Sequence, residues 1–157
     1  MTKPTIDDAK HMWQLVKTLS PALDLNSAYK YLIICEAFPN CCVVAKRGGK
    51  LIGFITGFIT HKKPDTLFVW QIGIDFSERG KGLASQLLLH LVEQQERTIK
   101  YIEATITPSN EASKKLFQRL AATLNTSLET RLLFKKEHFP SREEHEEEYL
   151  YRIGPIR

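Results

Sequence analysis

The run Asp75-Phe76-Ser77-Glu78-Arg79-Gly80-Lys81-Gly82-Leu83-Ala84 lies between a β-rich stretch ending at Ile74 and an apolar stretch of helical period through Leu83, Leu87, Leu88, Leu91 and Val92. A strand, a tight glycine loop and a helix in immediate succession leave the chain few options. Glycines at 80 and 82 let the backbone come close to a ligand, and the amides of the loop and first helical turn converge where the helix dipole favours negative charge. The run therefore reads as a phosphate cradle. It has neither the Gly-Lys-Ser/Thr of a P-loop nor the full Gly-x-Gly-x-x-Gly of dinucleotide folds. A glycine loop that merely turns the chain is the plain alternative. The net +4 is uneven: residues 143–148 read Glu-Glu-His-Glu-Glu-Glu, and 1–142 hold 20 basic and 13 acidic residues. A basic body suits a polyanion, either nucleic acid or a phosphorylated cofactor. Aromatic residues interleaved with Lys and Arg along a groove-like stretch are not evident, which speaks against nucleic acid.

The rest of the chain reads as a mixed sheet with helices packed on it. Thr5 and Asp8 have capping-box spacing ahead of Ala9, Met12, Trp13, Val16 and Leu19, which predicts a helix over about 6–19 that Pro21 ends. Asn26 is the expected cap of a second helix running to about 38, before Pro39. Strands are expected at 41–45 and 51–58, joined by a hairpin at Gly48-Gly49, and at 67–74 after a turn over 61–65. The third is antiparallel to the second because the connection is short. Beyond the cradle helix come a strand at 101–106, a helix from about Ser109 to Ala121 carrying Ala112, Leu116 and Leu120, and strands at 130–134 and 149–153. The 157 residues, with no repeat or long linker, suit one α/β domain, residues 1–157, with a central mixed, mostly antiparallel sheet. Cys35, Cys41 and Cys42 are odd in number and suggest neither a disulfide framework nor a metal site. No apolar run is long enough for a membrane span. The N-terminus lacks the apolar stretch of a signal peptide, so the expected location is cytoplasmic.

Two motifs in order, Arg79-x-x-Gly82-x-Ala84 after one strand and Asn110-Glu111-Ala112-Ser113-Lys114-Lys115-Leu116-Phe117 after the next, resemble the GNAT acetyltransferase family. The resemblance covers about 41–135. It implies the GNAT fold and acetyl-CoA as co-substrate, with no metal. The pyrophosphate of acetyl-CoA would be held by Arg79, Gly80, Lys81, Gly82, Leu83 and Ala84. Asn110 and Phe117 are further cofactor-side candidates, and a backbone N–H of the strand bearing Ile72, Gly73 and Ile74 would serve the oxyanion of acyl transfer.

Further blocks are more specific: Leu23–Ser27, Pro64–Gln71, Glu103–Ser113 and Tyr151–Pro155 are similar to the diaminobutyrate-acetylating branch of that family. This closer likeness spans nearly the whole chain. It implies acetyl transfer to the γ-amino group of L-2,4-diaminobutyrate, giving the Nγ-acetyl product used for ectoine, and a homodimer. Alternatives are another small primary amine, a protein N-terminus, or a CoA-binding regulator without turnover. The acceptor carries two ammonium groups and one carboxylate, so anionic and aromatic partners are needed on a basic protein. Carried over from the resemblance, the substrate candidates are Asp24, Trp70, His145 and Glu148, with Tyr29 beside them. Trp70, His145 and Glu148 are also the catalytic candidates.

Each has a plain alternative. Asp24 suits a turn, Trp70 a core position, His145 a surface histidine and Glu148 a solvated acidic face. The amine must attack neutral, and an amine of pKa about 10.4 is neutral in roughly one part in 10³ at pH 7, a penalty of about 4–5 kcal/mol. Glu148, His145 or a water they hold would take the proton. Many members of the family have Tyr where this chain has Phe117, as acid for the departing thiolate. Phenylalanine has no proton to give, so the choice among Tyr29, a water and an unprotonated thiolate stays open.

Overall fold

A computed structural model describes every residue except Ala22, Arg142 and Arg157. The described chain holds helices α1 (Ala9–Leu19), α2 (Ala28–Ala37), α3 (Leu83–Glu93) and α4 (Glu111–Thr123). Its strands are β1 (Cys42–Arg47), β2 (Lys50–Thr60), β3 (Lys63–Ile74), β4 (Tyr101–Ile106), β5 (Leu128–Phe134) and β6 (Glu148–Ile153). They hydrogen-bond in the order β1-β2-β3-β4-β6-β5. The β3–β4 pair is parallel, whereas β1–β2, β4–β6 and β5–β6 are antiparallel. This is the expected mixed α/β sheet. Two compact units emerge, Met1–Ile59 with Val69–Thr98 and Thr60–Phe68 with Ile99–Arg157, and β3 contributes to both.

In the first unit, α1 puts Ala9, Met12, Leu15, Val16 and Leu19 against Tyr31 and Cys35 of α2 and against Val44, Leu51 and Phe54 of the first hairpin. Each fully buried aliphatic of this size contributes about 1.5–3 kcal/mol. The helix begins later than its periodicity suggested, because Ile6–Asp8 form a 3-10 turn. The expected Thr5–Asp8 capping box is present, with the Asp8 carboxylate accepting from Thr5 N–H at 2.8 Å. Asn26 is not the cap of α2. Its amide donates to the Asp24 carbonyl at 3.2 Å, and Ser27 takes the N-cap position. Gly48 and Gly49, at φ 57° and 79°, close the β1–β2 hairpin as their sequence indicated. The turn expected over 61–65 shrinks to His61-Lys62. Pro64 precedes the first β3–β4 pair, Thr66↔Tyr101, so its missing N–H forfeits no rung there. The three cysteines are free and buried, and burial pushes the Cys35 thiol up to about 11 and the Cys42 thiol up to about 12.

In the second unit, α4 starts two residues later than expected, because the Asn110 side chain caps it by accepting from Ser113 N–H at 3.1 Å. Of the expected stripe Ala112, Leu116 and Leu120, Leu120 is buried, and it is joined by Phe117 and Ala121. Ala112 is exposed and Leu116 half-buried. The bulkiest side chain sets the face. Strand β6 starts one residue earlier than expected, at Glu148, which pairs with Phe134 of β5. On β4, buried Glu103 is held by Lys63 at 3.0 Å and by Arg152.

Candidate functional site

The cradle candidate is built by β3, a 3-10 turn over Phe76–Glu78 and the start of α3. Asp75 begins the turn, its carboxylate accepting from Ser77 N–H at 3.0 Å and Ser77 Oγ–H at 2.7 Å. Those bonds, with Lys50 nearby, hold its carboxyl below the usual range. Gly80 and Gly82 follow at φ 75° and 79°, a left-handed backbone that disfavours any Cβ. Nothing lies within 4 Å of a Cβ built at either glycine, so the backbone angle and not crowding is what favours glycine there. Gln86 N–H reaches back to the Gly82 carbonyl at 3.1 Å, which leaves the amides of Leu83, Ala84 and Ser85 as the orphan donors of the helix end. Arg79 and Lys81 are exposed beside them. Arg79 lies 4.2 Å over the Phe76 ring, and buried Glu78 ties Arg47 at 2.7 Å and Lys81 at 3.7 Å. Helix-end N–H donors with two exposed cations adjacent in sequence suit a pyrophosphate.

Upstream on β3, Ile72 and Ile74 are half-buried and Gly73 is buried. A Cβ on Gly73 would come within 2.5 Å of the Phe54 ring, so this glycine is required by the aromatic packed over it. Three of the acceptor-side candidates also lie in the first unit. Tyr29 is 69% exposed and Asp24 is exposed on the loop before α2. Trp70 is 50% exposed, so the core alternative does not apply to it. Its ring meets Phe58 edge-on at 5.9 Å, and the Lys30 ammonium sits 3.8 Å over it. The cation on this indole thus comes from the chain itself. Burial, partly offset by the Asp24 charge, pushes the Lys30 amine down to about 8.

Sequence reasoning missed Lys30 and also Gln71. The buried Gln71 side chain accepts from Tyr31 Oη–H at 2.9 Å and donates to the Asp24 carbonyl at 2.9 Å. It thereby fixes the Asp24 loop to α2. A glutamine in an otherwise apolar strand was the available signal, since a buried amide needs partners.

The remaining candidates lie in the second unit. Residues 145–148 are half-buried, not a solvated face. The His145 ring stacks on Phe139 at 3.9 Å with 7° between planes, and its Nδ1 lies 2.6 Å from the Glu146 carbonyl. A carbonyl can only accept, so Nδ1 carries a proton, and in the neutral tautomer Nε2 is then the lone-pair nitrogen. Nε2 is 3.9 Å from Glu148 Oε1. Glu146 is spent on the loop before α4, accepting from Ser109 N–H and Oγ–H. The structure therefore brings His145 Nε2 and the Glu148 carboxylate to within 3.9 Å of each other. Asn110 is engaged as the α4 cap, and Phe117, 2% exposed, is a core side chain in place of an open ring. Among the described residues, no group of three or more His, Cys, Asp or Glu could hold a metal ion, and no helix is long and apolar enough to cross a membrane.

Comparison with known proteins gives a consistent picture. The family model described as Acetyltransferase (GNAT) family matches residues 9–122. The L-2,4-diaminobutyric acid acetyltransferase of Marinococcus halophilus is 53% identical over 155 residues, covering 98% of this chain and 88% of that protein. The protein of the same name from Shouchella clausii is 48% identical over 158 residues, covering 100% of this chain and 87% of that protein. Among solved structures, the diaminobutyrate acetyltransferase of Paenibacillus lautus, in complex with L-2,4-diaminobutyric acid and coenzyme A, superposes with a TM-score of 0.93 at 35% identity. It covers 98% of this chain and 92% of that one.

Proposed function

The chain belongs to the GNAT family of acetyltransferases, and we propose that it transfers the acetyl group of acetyl-CoA to the γ-amino group of L-2,4-diaminobutyrate. The observation that carries this reading is likeness along almost the full chain to diaminobutyrate acetyltransferases, one of them solved with that substrate and coenzyme A. The amine nitrogen forms a bond to the thioester carbonyl carbon, the C–S bond breaks, and the proton lost by the amine balances the thiol released. Acetyl-CoA supplies the electrophilic carbonyl. The amides of Leu83–Ser85, with Arg79 and Lys81, would hold its pyrophosphate. Trp70 and Asp24 serve the acceptor, with Tyr29 at the rim. Glu148 draws the γ-ammonium, and His145 Nε2, the lone-pair nitrogen when Nδ1–H is given to the Glu146 carbonyl, takes its proton directly or through one water so that the neutral amine attacks.

The product is the Nγ-acetyl diamino acid, an ectoine precursor made under osmotic stress. The chain serves as a single acetyltransferase domain in the cytoplasm and works as a homodimer. Light scattering at twice the 18.0 kDa chain mass is the expected result, and a monomer at working concentration overturns the dimer.

Purified protein with acetyl-CoA should release free thiol with diaminobutyrate, and NMR of the product should show the acetyl group on Nγ. One extra methylene in a fitted pocket costs about tenfold or more, so kcat/KM should fall by that factor for ornithine and further for lysine. Equal rates on all three acceptors would sink the assignment. The cradle is tested separately by Gly82→Val. A β-branched residue at φ 79° costs at least about 1–2 kcal/mol in the conformation the loop needs, so KM for acetyl-CoA should rise about tenfold or more. Unchanged acetyl-CoA affinity in calorimetry would place the pyrophosphate elsewhere.

A further inference from the structure

Lys30 stands against every local preference of its position. It lies in the first turn of α2, where the helix dipole repels a cation. A lysine stem of this length ordinarily carries its ammonium out to water. Here Nζ is shielded from solvent, and none of its three N–H donors meets an acceptor among the described residues. It rests 3.8 Å over the Trp70 ring and 5.3 Å from the Tyr31 centroid. Aromatic faces steady a positive charge but leave its hydrogen-bonding capacity unspent. A desolvated ammonium in that state is costly unless an anion completes it.

The acceptor has an anion that no residue so far serves. Asp24, His145 and Glu148 all answer to ammonium groups, whereas the carboxylate of the amino acid needs a cation. We propose that the Lys30 ammonium, held over Trp70, receives the acceptor's carboxylate. This deepens, and rests on, the acceptor reading above. Gln71, the neighbour of Trp70 on β3, holds the Asp24 carbonyl at 2.9 Å while Trp70 carries the Lys30 ammonium, so a negative and a positive residue flank the same stretch of strand. That order matches the zwitterionic head of an α-amino acid, ammonium toward Asp24 and carboxylate toward Lys30. The head is then anchored by its two charges, and the γ-amine alone is left to react. Lys30 would thus select amino acids over plain diamines and the γ-nitrogen over the α-nitrogen.

The test compares wild type, Lys30→Met and Lys30→Arg on L-2,4-diaminobutyrate, on its carboxamide and on 1,3-diaminopropane, which is the same diamine without the carboxylate. Wild type should prefer the carboxylate over the carboxamide by about tenfold or more. In Lys30→Met, which keeps the length of the stem, kcat/KM for diaminobutyrate should drop at least about tenfold further than for 1,3-diaminopropane, mainly through KM. Lys30→Arg should recover much of the preference, because it restores the cation. Equal losses on both acceptors would mean that Lys30 only props Trp70, and a loss confined to kcat would make it a proton acceptor; either result overturns the proposal. If Lys30→Met fails to melt cooperatively, the wild-type comparison decides alone, and equal use of carboxylate and carboxamide overturns it. Absence of any wild-type turnover with diaminobutyrate would instead remove the underlying assignment.

Discussion

Replacing Glu148 by Gln or His145 by Ala is expected to lower kcat about 10²-fold or more, with acetyl-CoA affinity nearly unchanged. The reason is the protonation state of the nucleophile. A primary amine near pKa 10.4 must lose a proton before it can attack, at about 4–5 kcal/mol for neutral pH. The His145 ring is stacked on Phe139 and its Nδ1–H is committed to the Glu146 carbonyl, so in the neutral ring Nε2 is the accepting nitrogen, 3.9 Å from Glu148. Glutamine keeps the shape of Glu148 but loses the charge that draws the ammonium and steadies an imidazolium. The double variant is the sharper measurement. If both residues act on one proton, losing both costs about as much as losing the more important one, whereas independent roles multiply. Steady-state kinetics on the four proteins distinguish these outcomes, and full activity in either single variant would remove that residue from the chemistry.

Gly154→Ala should destabilise the fold by about 3–5 kcal/mol and lower Tm by about 10 °C or more. At φ 142° the residue is in a region that side chains avoid, and a Cβ there would lie 2.5 Å from both the Lys100 carbonyl oxygen and Tyr101 Cδ1. Neither neighbour is free to give way. The Lys100 carbonyl accepts from Ile156 N–H at 2.8 Å, and the Tyr101 ring is covered by the Arg152 guanidinium at 3.6 Å. Gly154 itself is fastened to Ser127, its N–H donating to the Ser127 carbonyl at 3.1 Å. Gly48→Ala is the control. It also has positive φ, 57°, but nothing lies within 4 Å of its Cβ, so about 1–2 kcal/mol is expected. Equal losses at the two positions, read from chemical denaturation, would show that the close approach at Gly154 does not matter. Because β6 begins at Glu148, this glycine anchors the far end of the strand that carries a catalytic candidate.

Much of the fold was readable in the residues because it depends on near neighbours. The α1 stripe of Ala9, Met12, Val16 and Leu19, the glycine hairpin at 48–49 and the strand-loop-helix of the cradle are each set within about a dozen residues of chain. Boundaries slipped where a side chain found a different local bond, as Asn26 did with the Asp24 carbonyl and Asn110 with Ser113 N–H. The acidic tail misled more seriously when taken alone. A run of five glutamates and a histidine has the composition of a solvated face, and only the Phe139 stack and the pairing of Glu148 with Phe134 take residues 145–148 partly out of water.

By itself, then, the sequence determined the element order, the glycine loop between β3 and α3 and the family, since these reside in contiguous motifs governed by backbone geometry and periodicity. Tertiary structure decided which side chains meet. Tyr31 and Asp24 come to Gln71 across 40 and 47 residues, and Lys30 is laid on Trp70 across a similar span. Contacts of that separation depend on how α2 packs against the first hairpin and β3, and no local propensity encodes them.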